Sequence, residues 1–183
     1  MSTNVLILPG YGNSGPEHWQ SRWQQAEPDW QRVEQHDWEQ PQCADWCEAL
    51  ETAVAACGAD SVLVAHSLGC LQVAHWAQAT RLRVRAALLV AVPDPALPVF
   101  PPQAQGFTPL PRQALPFPSL LVASRDDPYA SLDYARQCAA AWGSEYVDIG
   151  AAGHINATSG FGDWPQGRAL LQRLLAMSSG ARD

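Results

Sequence analysis

The sequence predicts an α/β fold: a doubly wound, mostly parallel sheet with helices on both faces. Three observations point there. Short apolar runs rich in β-branched residues alternate along the chain with longer segments of helical spacing. The runs are apolar throughout rather than every second residue, as strands covered on both faces must be. One of them, Val62–Ala65, breaks abruptly at His66-Ser67-Leu68-Gly69 and a helical pattern follows at once. That is a buried strand, a sharp turn carrying one serine, and a helix.

In chain order, Asn4–Leu8 reads as the first strand, broken by the glycine-rich Pro9–Pro16. That loop lacks a Walker lysine and the G-x-G-x-x-G spacing of phosphate-binding loops. It suits a loop offering a backbone N–H to a reacting oxygen. His18 opens a helix with Trp19, Trp23 and Ala26 on one face, and is either a cleft residue or a local hydrogen-bonding group. Arg32–Gln35 is a weak strand. Cys43, Trp46, Cys47, Leu50, Val54 and Cys57 recur at helical spacing, with Gly58 as C-cap. After Ser67 a helix turns Leu71, Ala74 and Ala77 inward. Ala86–Val92 is another strand.

From Pro93 to Pro118 nine prolines exclude a regular helix or central strand. A long insert in a small protein is either a substrate-facing cap or a crossover that covers the core. Ser119–Ser124 is the next strand and runs into Arg125-Asp126-Asp127-Pro128. A helix through Leu132, Ala135, Ala139 and Trp142 ends at Gly143, and Tyr146–Ile149 is the last strand. Gly150–Asn156 carries His154. Asp163 is the expected N-cap of the final helix, with Pro165 in its first turn.

At 183 residues, 47% hydrophobic and 16% charged, the chain is expected to form one domain, residues 1–183, around a real core. A net charge of −7 and no basic run argue against nucleic acid or an anionic membrane as partner. No run is long enough to span a bilayer, and the first residues lack the basic start of a signal peptide. Five cysteines, an odd number, read as reduced thiols of a cytoplasmic protein, and no zinc spacing completes Cys43 and Cys47. No metal and no cofactor are expected. Most of the eight tryptophans are expected in the core or cleft walls.

In such a sheet the site lies beyond the carboxyl ends of the strands. Three predicted strand ends carry Ser67, the Asp126/Asp127 pair and His154, in the chain order of α/β-hydrolases. A serine hydroxyl needs a base to take its proton, and the base needs a carboxylate to hold its tautomer. Backbone N–H groups must meet the oxyanion, and Leu68 and Tyr11 are the candidates. Singly, each residue has a bland alternative: a turn serine, a loop histidine, an acidic pair at a helix start. Together, in order, they point to acyl transfer. His66 reads as structural or as a cleft wall. Ala65 replaces the first glycine of G-x-S-x-G as a tolerated departure.

These motifs resemble the small α/β-hydrolases of the retinoblastoma-binding-protein-9-like serine hydrolase family, bacterial members included. The matching stretches are Leu8-Pro9-Gly10, His66-Ser67-x-Gly69, Ser124-x-Asp126-Asp127-Pro128 and Gly153-His154. His18-Trp19 and Trp164-Pro165 look like the bacterial members. The resemblance implies a minimal α/β-hydrolase fold with no large lid domain. It implies Asp127 as the acid, with Asp126 second. It also implies a serine hydrolase of small acyl esters. A Leu-x-Cys-x-Glu retinoblastoma-binding motif is absent, so that partner is not implied. The triad fits a thioesterase or amidase-type acyl hydrolase as well. A hydrolase-fold protein acting as a protein-binding module is the alternative of another class.

Overall fold

The computed structural model describes residues 4–180. Five of the six predicted strands form within two residues of their expected bounds. They are β1 (Val5–Leu8), β3 (Val62–His66), β4 (Ala86–Val90), β5 (Ser119–Ala123) and β6 (Glu145–Asp148). The weak strand shrinks to β2 (Gln31–Arg32), one residue earlier than expected, although Val33 still donates its N–H to the Ile7 carbonyl at 2.9 Å. All pairings are parallel and the order is β2-β1-β3-β4-β5-β6. The chain first winds outward from β1 to β2, then restarts at β3 on the other side of β1. The crevice of this sheet therefore opens between the ends of β1 and β3.

Strand residues alternate between two cores. On one face Leu6, Leu8, Leu63, Leu89 and Leu121 pack against α2 (Cys43–Cys57), α3 (Leu68–Ala79) and α4 (Leu132–Trp142). On the other, Val5, Ile7, Val64, Leu88 and Val122 meet α1 (Trp19–Ala26) and α5 (Pro165–Gly180). Six of the eight tryptophans are buried. The helix after Ser67 departs from its expected one-sided pattern. Leu68 to Ala74 are all buried because α2 covers the side of α3 that the sheet does not. Gln72 survives there by donating to the Trp46 carbonyl at 2.6 Å.

The N-cap expectation for the last helix is corrected. Pro165 is the first helical residue, so the cap position falls on Trp164, at φ 40°. Asp163 instead accepts from Arg22 Nη1 at 3.0 Å, a partner 141 residues away. The proline-rich segment holds no helix or strand. Phe107, Leu115 and Phe117 are buried in the core while Phe100 and Pro101 line a cavity, so the segment both covers the core and faces the crevice. Among the described residues no helix is long and apolar enough to cross a membrane.

Candidate active site

Ser67 stands between β3 and α3 at φ 54°, ψ −123°. A left-handed backbone at a residue with a Cβ is strained, and β3 and α3 on either side hold it there. The strain lifts the side chain clear of the sheet. Two glycines let the β1 loop close against this turn. A Cβ on Gly69 would collide with the Leu8 carbonyl oxygen, and one on Gly10 would lie 2.9 Å from Ser67 Cβ. Ala65, at the place of the usual first glycine, is wholly buried without displacing anything.

The ends of β5 and β6 bring the other two groups. His154 Nε2 lies 2.9 Å from Ser67 Oγ, and His154 Nδ1 lies 2.9 and 3.0 Å from the two Asp127 oxygens. The Asp127 side chain is 3% exposed and that of His154 10%. A carboxylate only accepts, so Nδ1 carries the proton and Nε2 presents its lone pair to the serine hydroxyl. Asp127 Oδ1 also accepts the Tyr129 N–H at 2.9 Å, which fixes the carboxylate.

Asp126 does different work. Its Oδ1 accepts the Ala152 and Gly153 N–H groups, both at 2.8 Å, and the Ser124 hydroxyl at 2.9 Å. These bonds, the Gly153 N–H first, hold its carboxyl below the ordinary carboxylate range. The two neighbouring acids thus divide: Asp127 bonds the imidazole, Asp126 bonds the loop that carries it. Asn156 caps the following 3-10 turn, Ala157–Ser159, by accepting the Ser159 N–H at 3.0 Å.

His66 and His18 pack beside this set. His66 Nε2 donates to the His154 carbonyl at 2.8 Å, and its ring lies 4.9 Å from that of His154. Tyr129 covers another side at 4.4 Å. His18 is both of the things the sequence allowed. It caps α1, its Nδ1 accepting the Gln20 N–H at 3.1 Å, and it lines the cavity. Gln20 had no signal in the sequence, yet its Nε2 donates to the Leu8 and Val64 carbonyls at 3.1 and 3.0 Å. It closes the gap between β1 and β3 beneath the crevice.

Burial, then Arg32 and His154, pushes His18 down to about 3, and burial likewise holds His66 well below the usual histidine range. The unfolded chain binds these protons near pH 6.5 and the folded chain does not. Their stabilising contribution is therefore complete above about pH 6.5 and is lost as pH falls toward 3. At about 1.4 kcal/mol per unit, His18 alone costs on the order of 4 kcal/mol by pH 3. Melting temperature should fall across that window. It should fall less steeply in His18→Asn, which keeps a good capping residue.

A cavity of about 190 Å³ opens over Ser67, walled by Gly10, Tyr11, His18, Leu68, Phe100 and Tyr129 among others. Leu68 is the first residue of α3, so its N–H has no helical acceptor. Tyr11 lies in the turn closed by the Asn13 N–H on the Gly10 carbonyl at 3.1 Å, and no described backbone bond takes its own N–H.

The sheet order, the strained serine turn and the three strand-end groups define an α/β-hydrolase. The chain belongs to the serine hydrolase family, whose model matches residues 5–173. No functionally curated protein matches it. Among solved structures it is similar to a YdeN-like hydrolase from Pectobacterium atrosepticum, with 36% identity and a TM-score of 0.82. That match covers 96% of this chain and 90% of the other. The ydeN gene product of Bacillus subtilis is 21% identical with a TM-score of 0.79, over 96% of this chain and all of that one. An esterase domain from Rhodothermus marinus shares the fold at 16% identity and a TM-score of 0.67, over 92% and 84%.

Proposed function

We propose that this serine hydrolase is a carboxylesterase of small acyl esters, working through Ser67, His154 and Asp127. The observation that carries this reading is the unbroken line of hydrogen bonds from Asp127 through His154 to Ser67, opening on the cavity. Ser67 Oγ attacks the ester carbonyl while His154 Nε2 takes its proton. Asp127 stabilises the imidazolium that forms. The N–H groups of Leu68 and Tyr11 receive the negative charge on the carbonyl oxygen. The imidazolium then protonates the departing alcohol, leaving an acyl-serine. Water then attacks the acyl carbon while His154 Nε2 takes its proton, the bond to Ser67 Oγ breaks as the imidazolium returns that proton to Oγ, and the acid departs.

The cavity's size supports a short acyl group. About 190 Å³ falls below the roughly 300–1,000 Å³ of sites for drug-sized ligands. Five free thiols support the expectation of a reducing, cytoplasmic setting.

Hydrolysis of p-nitrophenyl acetate, butyrate and octanoate tests the reading, with the two shorter esters expected to turn over fastest. Turnover of the matching thioesters or anilides alone would replace ester hydrolysis with another acyl transfer. The two acids separate the roles further. Asp127→Asn should lower kcat by about 10⁴-fold, because an amide cannot hold the same tautomer. Asp126→Asn should stay within about tenfold of wild type, since it acts on the loop and not on the ring. Equal losses in the two variants would contradict the assignment.

A further inference from the structure

Arg32 ends β2 at the sheet edge, and its guanidinium reaches under the turn that follows β1. Nη1 donates to Asn13 Oδ1 at 2.8 Å and to the Ser14 carbonyl at 3.0 Å. Nη2 donates to Ser21 Oγ at 2.8 Å and Nε to Gln24 Oε1 at 3.1 Å. Every one of these partners is neutral. No described carboxylate forms an ion pair with Arg32, whereas Arg22 has two and Arg125, Arg136, Arg168 and Arg173 have one each. Glu34 acts on it only from outside hydrogen-bonding range, and burial is the larger influence. A half-buried cation whose nearest acting carboxylate lies beyond hydrogen-bonding range has lost more in water than it regains from that charge. Its field therefore reaches the groups around it.

Those groups belong to the crevice. Asn13 and Ser14 both line the cavity. Asn13 holds a left-handed φ of 67°, and its N–H closes the turn on Gly10 that contains Tyr11. Its side-chain oxygen, the acceptor for Arg32, also takes the Ser14 N–H at 2.7 Å. The guanidinium thus grips the strained corner of the turn at two points. The field is felt next door: after burial, Arg32 is the leading reason that His18 resists protonation.

We propose that Arg32 is a positioning residue for the hydrolysis proposed above, fixing the Gly10–Ser14 turn that aims the Tyr11 N–H and lending positive charge to the oxyanion. The inference rests on that reading. It differs from a merely structural bond network in what it favours. A structural clamp serves substrate and transition state alike, whereas a fixed cation behind the oxyanion turn acts where negative charge develops.

The test compares Arg32→Gln and Arg32→Lys with wild type on p-nitrophenyl butyrate and on butylboronic acid, which forms a tetrahedral anion on an activated serine. Arg32→Gln should lower kcat by about 10–100-fold and weaken the boronic acid by a similar factor, with KM changed by less than about threefold. Arg32→Lys keeps the charge and loses the fork, so it should recover part of both losses. Asn13→Gly keeps the cation, tolerates the positive φ and removes one anchor. It should show a smaller loss than Arg32→Gln, and it serves if Arg32→Gln does not fold. A folded Arg32→Gln with kcat and boronic-acid affinity within about twofold of wild type overturns the inference. An Arg32→Lys as impaired as Arg32→Gln overturns the part assigned to charge. A wild type that hydrolyses no ester and binds no boronic acid overturns the proposed function and this inference with it.

Discussion

Ser67→Ala should reduce ester turnover by about 10⁴-fold or more, to the level left by binding and the oxyanion donors alone. The same change should leave the fold intact, and the geometry says why. The Ser67 hydroxyl makes no capping bond to α3, and its described partner is His154 Nε2 at 2.9 Å. Removing one such bond costs about 1 kcal/mol, which moves the melting temperature of a chain this size by only a few degrees. The backbone at φ 54° is strained for serine and alanine alike, since both carry a Cβ. Ser67→Gly should therefore also be inactive and yet melt higher than Ser67→Ala. A loss of folding in Ser67→Ala, or turnover within tenfold of wild type, would contradict the reading of this turn.

The largest effect on stability is expected at Gly69. Alanine normally favours a helix over glycine by about 1 kcal/mol, so Gly69→Ala within α3 would ordinarily stabilise. Here the added methyl meets the Leu8 carbonyl oxygen and comes within 3.0 Å of that of Pro9, backbone atoms at and just beyond the end of β1. They cannot swing aside as a side chain can. Relief requires α3 or the β1 loop to move, and overpacking of this kind costs about 3 kcal/mol or more. The steric term wins. Thermal or urea unfolding should show a large loss, together with loss of activity, because the same shift drags the Tyr11 turn away from Ser67. A Gly69→Ala protein of wild-type stability would mean that the β1 loop does not press on the elbow.

Much of the frame was legible because its signals are local. Strand runs, the Ser67 turn and the glycine ends of α2 and α4 depend on neighbours a few residues apart, and they appear where the spacing puts them. The groups at three strand ends were legible for the same reason, since a parallel sheet carries its strand ends to one edge. What local patterns missed depends on distant partners. Asp163 looks like a cap until Arg22 arrives from the other end of the chain. The burial of α3 from Leu68 to Ala74, beyond the inward-facing Leu71 and Ala74, comes from α2. Asp126 and Asp127 are indistinguishable in a turn. They part only when the Gly150–His154 loop folds back, giving one the backbone N–H groups and the other the imidazole. Gln20 and Arg32 carried no signal, because their roles consist of bonds to residues 12 to 44 and 11 to 19 positions off, apart from one closer contact each.

An activated nucleophile at Ser67 underlies every step of the proposed hydrolysis. Labelling with a fluorophosphonate, followed by mass spectrometry of the modified peptide, tests it most directly. One covalent adduct is expected on the peptide containing Ser67, and none in Ser67→Ala. A folded wild-type protein that takes no label, or takes it on another residue, would contradict it.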